Sequence, residues 1–157
     1  MGWPWVVAIV AGVLLAGGAA IIVLALWARR GLPAEQARRL FLLQREHLEA
    51  HFLRAANASG KPRGLRWKEC DWDGPVVFAR DRATGQFAAL AGVTIRFEAV
   101  EGGDMEGLPA VANLRNASAV FVHEGGRWHA TGRTVFNLSP DEVLRRFEQQ
   151  YEPLETG

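Results

Sequence analysis

Histidine spacing is the first feature of this 157-residue sequence that could support chemistry. His47 and His51 stand four residues apart in a segment with helical periodicity, so their rings would share one side of a helix, as in helical metal sites. Glu49 does not occupy the position that the HExxH zinc motif requires. A zinc site also needs a third protein ligand, which Cys70 or an acidic residue would have to provide. We therefore expect two histidines beside a core and no metal site.

A second histidine pair surrounds the Gly125-Gly126 dipeptide, which is typical of a two-residue hairpin turn. With those glycines as the loop, His123 stands opposite Trp128 in the neighbouring strand. Side chains alternate between the two faces of a strand, so His123 and His129 point to opposite faces. These two histidines therefore cannot share a ligand, and we expect them to be structural.

Asp71 and Asp73 lie beside the single cysteine, Cys70, and the three could line the mouth of a pocket. Paired carboxylates there would suit general acid–base chemistry. The same residues precede Gly74-Pro75, where aspartate is a common turn residue, and we expect a turn. A single thiol forms no internal disulfide. The sequence contains no P-loop, GxGxxG, CxxC or GxSxG pattern, so we predict no catalytic, cofactor-binding or metal-binding residue.

The first predicted element of the chain, before all of these candidate residues, is an uncharged stretch at residues 3–27. A helix of this length spans roughly 37 Å, enough to cross a hydrocarbon core of about 30 Å with some tilt. It lacks the basic start and the small-residue cleavage pattern of a secretory signal. We therefore predict a single transmembrane anchor within residues 1–30. Its expected interfacial residues are Trp3, Trp5, Trp27, Arg29 and Arg30.

Charge on the two sides of this stretch predicts its orientation. The N-terminal side carries only the α-amine, whereas residues 29–68 hold ten Arg or Lys against three Glu. Basic flanks stay cytoplasmic, so we predict the N-terminus outside and the C-terminal domain in the cytoplasm. Residues 69–157 are acidic, with eight basic and fourteen acidic side chains. An exported domain is the alternative topology.

Small residues recur at every fourth position of the predicted anchor. Such a stripe allows a second helix to approach closely, so the expected partners are the lipid membrane and either a second copy of the chain or another membrane protein. Alanine and glycine are also common as lipid-facing residues, and the sequence leaves both interpretations open. The packing stripe comprises Ala8, Gly12, Ala16 and Ala20.

Residues 31–60 are predicted to form an amphipathic helix, over about 34–56, followed by a linker. Leu42, Leu43 and Leu53 lie off the apolar face of this helix and suggest a second contact surface. The predicted inner face comprises Ala37, Leu40, Phe41, Leu48, Phe52 and Ala55.

The pattern changes towards a period of two after the linker, so residues 61–152 predict an antiparallel sheet and a short C-terminal helix. Residues 81–85 are typical of a hairpin turn. Residues 139–142 form a capping box that starts the short helix, with Tyr151 on its inner side. Residues 153–157 are a tail.

The predicted fold class is α+β. A single transmembrane helix precedes a long amphipathic helix packed on a curled antiparallel sheet of about five strands, and a short helix follows. This order of elements resembles cystatin-like and NTF2-like rolls in topology alone. A resemblance of that kind implies no function.

We expect a single-pass membrane protein whose cytoplasmic domain is a non-enzymatic interaction or assembly module without a cofactor. Basic and aromatic residues alternate over residues 61–72, but membrane proximity explains them better than nucleic acid does, and the net charge of +1 gives no general attraction to nucleic acid. The alternative is a roll-fold domain with a small-ligand pocket, or with hydrolase or isomerase activity, between the helix and the sheet.

Overall fold

The computed structural model describes Trp3 and residues 34–154. Residues 34–154 form an α+β domain in which one long helix packs on an open antiparallel sheet of six strands, with a second, short helix. The α+β prediction is therefore confirmed. The predicted anchor, residues 1–30, lies outside the described residues apart from Trp3. Within the described part of the chain, no helix is long and apolar enough to cross a membrane.

The long helix, α1 (Ala34–Ala58), buries one apolar stripe along its length. The buried residues are Ala37, Phe41, Leu48, Phe52 and Ala56. Leu40 and Ala55, predicted to be buried, are only half-buried because Ala56 takes the last position on the stripe. On the polar side, the Arg45 guanidinium donates to the Glu49 carboxylate at 2.6 Å and to the Trp72 carbonyl at 2.9 Å. The bond to Trp72 connects the polar side of the helix to the chain that follows residues 65–71, the first strand.

The sheet has six strands rather than about five. They are β1 (Leu65–Asp71), β2 (Val76–Asp81), β3 (Phe87–Ala99), β4 (Arg115–Glu124), β5 (Arg127–Phe136) and β6 (Tyr151–Pro153), and the short helix α2 (Pro140–Arg146) lies between the last two. The prediction of Tyr151 within the short helix was wrong: it begins β6 and pairs with Asp81 of β2. The capping box is present, since Ser139 and Glu142 bond each other's backbone N–H. Pro153, placed in the tail, ends β6.

The sheet order is β5-β4-β3-β2-β6, and β1 also pairs with β3. The first half of β3 pairs with β2 and the second half with β1, while β4 runs along the other side of β3. The chain crosses from β1 to β2 through Gly74, whose backbone lies against Gly92 of β3. A Cβ on Gly74 would lie 2.7 Å from the Gly92 Cα. Neither position therefore accommodates a side chain without movement.

Both faces of the sheet are covered. Aromatic rings fill the face under α1, where Phe41 meets Phe121 at 5.3 Å and Trp128 at 5.1 Å between ring centroids. The Trp128 indole N–H donates to the Ala37 carbonyl at 2.8 Å, which ties β5 to α1. On the other face, Val143 of α2 packs into a smaller cluster with alanine, leucine and valine side chains of the central strands. Side chains alternate along each strand, so one set faces the apolar cluster under α1 and the other set faces the cluster that includes Val143.

Candidate functional site

The predicted pair His47 and His51 lies on the exposed side of α1, with ring centroids 4.3 Å apart. Partial desolvation, together with Arg54 and His47, lowers the pKa of His51 from its ordinary value. Among the described residues, no group of three His, Cys, Asp or Glu side chains is placed to hold a metal ion. The pair therefore has no third ligand within that part of the chain.

The hairpin register agrees with the prediction, since His123 pairs with Trp128 and Val122 with His129. His123 is 8% exposed and lies between the rings of Phe87 and Trp128, with centroids at 6.2 and 5.2 Å. Burial lowers its pKa, and its Nε2 atom is buried without a hydrogen-bond partner among the described residues. His123 therefore acts as a neutral aromatic residue of the core, whereas His129 is exposed.

Asp71 and Asp73, for which a turn was expected and a pocket mouth was the alternative, are both exposed, at the end of β1 and directly after it. Cys70 is half-buried, and burial, followed by the charges of Asp71 and Glu69, raises the pKa of its thiol to about 12. A thiol with such a pKa is protonated at neutral pH and is a poor nucleophile.

Aromatic side chains occupy the space between α1 and the sheet, where a roll-type ligand pocket was the alternative prediction. Phe41, Phe52 and Phe121 are fully buried there. Phe52 also contacts Trp67 at 5.9 Å and Trp72 at 5.3 Å between centroids. Among the described residues, these rings form the core contact between α1 and the sheet.

Two adjoining surface clefts lie beyond the end of this core. The larger, of about 670 Å³, is lined by Trp67 of β1 and by the last part of β5, and the smaller, of about 240 Å³, by Phe97 of β3. Pro62 and Phe136 line both clefts, so we treat the two as one surface and call it the aromatic groove. The Trp67 and Phe97 rings lie 5.0 Å apart, and each lies within 6.3 Å of the Phe136 ring.

The charged residues that line the aromatic groove are all basic: Lys61, Arg115 and Arg133. None of the three forms an ion pair with a described carboxylate, although six other basic side chains of the domain do. All three residues are exposed. The groove thus joins an apolar, aromatic floor to a positive rim.

Several elements that are distant in sequence build the groove. Strands β1, β3 and β5 bring Trp67, Phe97 and Phe136 together, because β1 pairs with β3 and the last strands complete that end of the sheet. The loop between β3 and β4 adds Met105 and Val111, which close the smaller cleft on one side. Only the alternation of basic and aromatic residues over 61–72 gave a signal for this site in the sequence. The residues from β4 and β5 gave none, because their positions depend on the register.

A third cleft, of about 580 Å³, lies near Gly74 and Gly92 and is lined by polar and apolar residues in similar number. Two pairs of its polar side chains bond each other. Thr94 donates to the Asn116 side chain at 3.3 Å, and Ser139 and Glu142 form the capping box of α2. Asp73, Arg115 and Asn137 also line this cleft.

The outer side of α1 carries two exposed leucines, at the position where a second contact surface was predicted. Leu42 is 55% exposed and Leu43 is 83% exposed, whereas Leu53 packs partly against the core. Of the predicted anchor residues, Trp3 is described and exposed. The others lie outside the described residues: Trp5, Trp27, Arg29 and Arg30 at the expected interfaces, and Ala8, Gly12, Ala16 and Ala20 in the packing stripe.

The whole chain can be compared with known proteins by sequence and by structure. No protein-family model, curated protein or solved structure matches this chain. The functional conclusion therefore rests on the residues of the chain itself.

Proposed function

We propose that this chain is a single-pass membrane protein whose α+β domain is an assembly module at the cytoplasmic face. The uncharged residues 3–27, the tryptophans near both ends of that stretch and Arg29-Arg30 after it support the anchor and its orientation. The expected partner is a second copy of the chain, which the stripe of small residues in the anchor favours.

The exposed leucine pair on α1 is the observation that carries the proposal. Leu42 and Leu43 are adjacent on a helix whose inner face is already buried, so they do not belong to the core of the domain. Burying a leucine side chain is worth about 1.5–3 kcal/mol, and a second helix would bury both. Aromatic side chains pack between α1 and the sheet, which favours a functional site on the outer surface of the domain and disfavours a catalytic pocket in its interior.

Cross-linking of the purified full chain in liposomes tests this assembly. In a Cys70→Ala background, Leu43→Cys provides a single thiol for a maleimide photocross-linker. We expect a cross-linked dimer from Leu43→Cys, and only monomer from Arg146→Cys, an exposed position on α2. Equal yields at the two positions would refute the leucine surface.

The anchor is tested separately from the leucine surface. Gly12→Leu fills the small-residue stripe and is expected to reduce the dimer yield, because the helices can no longer approach closely. An unchanged yield removes the stripe from the interface. Reporter fusions at the C-terminus test the orientation, and a reporter active only outside the cytoplasm would reverse it.

A further inference from the structure

The aromatic groove combines features that specify one class of ligand. Its floor is apolar, with Phe136 37% exposed to solvent although its ring contacts those of Trp67 and Phe97. Phe136 lies where the two clefts meet, and its partly exposed ring presents apolar surface that a ligand can cover. The first requirement is therefore an apolar body.

The rim adds a requirement for negative charge. Lys61 lines the larger cleft and Arg115 lines the smaller one, and no described acidic residue lines either. Arg133 also borders the larger cleft, but it lines a separate small cleft with Asp81 and Tyr151 as well. An anionic group bound in the groove would therefore find Lys61 or Arg115 without a described carboxylate beside it. The second requirement is therefore an anionic group at one end of the ligand.

Two hydroxyls and the strand edge beside the groove disfavour an extended peptide. The Ser59 and Thr134 hydroxyls donate to backbone carbonyls at 2.6 and 3.0 Å, so these two donors are already used. The edge of β5 is irregular here, because its register with β4 shifts after Ala130 and Gly132 has a φ of 76°. A bulge of this kind does not present a regular ladder to an added strand. An occupant with few backbone polar groups fits better.

We propose that the aromatic groove binds a free single-chain amphiphile with an anionic head, of the alkyl carboxylate class. The alkyl chain covers Trp67, Phe97 and Phe136, and the carboxylate lies among the rim cations. The larger cleft, of about 670 Å³, falls within the ~300–1,000 Å³ typical of small-molecule sites. This inference does not depend on the proposed assembly, because the groove and the Leu42–Leu43 surface share no residue.

Photolabelling of the full chain in phosphatidylcholine nanodiscs tests the proposal. The probe is dodecanoate with a diazirine at the end of its chain, and the labelled peptides are identified by mass spectrometry. We expect labels on the segments that contain Phe97, Met105 and Phe136. Unlabelled dodecanoate should compete about tenfold better than decanoate, since two methylenes are lost, and far better than uncharged dodecanol.

Charge variants provide the matched control. Lys61→Gln with Arg115→Gln removes one exposed basic charge from each cleft of the groove and should lower labelling about 3- to 10-fold. Arg145→Gln with Arg146→Gln removes the same charge from exposed positions on α2 and should leave labelling unchanged. Circular dichroism confirms that both double variants remain folded.

Five results would overturn the proposal. Labels confined to residues 3–27, or equal labelling of the two double variants, would remove the groove as the site. Equal competition by dodecanol would remove the anionic head. If phosphatidylglycerol in the nanodisc blocks labelling as effectively as free dodecanoate does, the ligand is a membrane lipid and not a free amphiphile. If an acidic, apolar peptide blocks labelling and dodecanoate does not, the ligand is a protein segment.

Discussion

The side-chain amide of Asn57 bonds both backbone polar groups of Trp67. The Trp67 N–H donates to Asn57 Oδ1 at 2.9 Å, and Asn57 Nδ2 donates to the Trp67 carbonyl at 3.0 Å. The end of α1 thereby occupies the place beside β1 that another strand would take. This pairing protects part of a sheet edge and holds the tryptophan that lines the groove.

Replacing Asn57 with alanine should destabilise the domain by about 1–3 kcal/mol, because two backbone groups of Trp67 lose their partner. The measurement is urea unfolding of the full chain in detergent micelles, followed by tryptophan fluorescence. Asn113→Ala is the control, since Asn113 is exposed in the loop before β4. An equal loss of stability in the two variants would contradict the role of Asn57.

Gly132 lies where the backbones of α1 and β5 come close together. A Cβ on Gly132 would lie 2.6 Å from the backbone nitrogen of Ala56, and the φ of Gly132 is 76°. Gly132→Ala should therefore cost more than the ~1–2 kcal/mol of a left-handed conformation alone. Gly85→Ala is the matched control, with a φ of 72° and no atom within 4 Å of its Cβ. Similar unfolding free energies for the two variants would show that α1 moves away at little cost.

Acid should destabilise the domain through His123. Burial lowers the pKa of His123 in the folded state below the ordinary value of 6.5, so the unfolded chain binds the proton more readily. The stabilising contribution is complete above the unfolded value and is lost as the pH falls towards the folded value. His123→Phe should therefore lose less stability than the wild type between about pH 7.5 and pH 5.

His129→Phe is the matched control, because His129 is exposed and lies on the face of the sheet opposite to His123. The comparison between the two variants separates the buried histidine from an exposed one of the same hairpin. If His123→Phe has the same slope as the wild type, His123 does not titrate differently in the two states.

Cys70 should react slowly while the chain is folded. Its thiol has a pKa of about 12 in place of 9.0, which lowers the thiolate fraction. Alkylation by iodoacetamide, measured by mass spectrometry, should be about a hundredfold or more slower in the folded chain than in urea. A Leu43→Cys variant provides the comparison, since that exposed position should react rapidly in the folded state. Equal rates at both thiols would contradict the burial of Cys70.

Local patterns in the sequence were enough to predict much of the fold. The apolar stripe of α1, the hairpin at Gly125-Gly126 and the capping box at Ser139 each depend on residues close together in the chain. Strand β6 was missed because three residues carry no periodicity, and Tyr151 fits a helical face equally well. Its pairing with Asp81 is a long-range contact that only the packed sheet selects.

The aromatic groove could not be predicted for the same reason. Trp67, Phe97 and Phe136 come from three strands, and their approach depends on pairing registers and on the close contact of β5 with α1 at Gly132. Lys61 belongs to the basic and aromatic stretch at 61–72, but nothing in the sequence linked Arg115 to it. The fold brings both residues to the groove, one in each of its two clefts.

The late position of β6 has a consequence for synthesis of the chain on the ribosome. Strand β2 pairs with β6 along its outer edge, yet β6 begins at Tyr151, long after β2 has ended at Asp81. During translation, the other strands can assemble while the edge from Ala79 to Asp81 still has open hydrogen-bonding groups. Such an edge can recruit a neighbouring nascent chain. A chaperone that shields this edge of β2 until β6 has been synthesised would therefore reduce association between nascent chains.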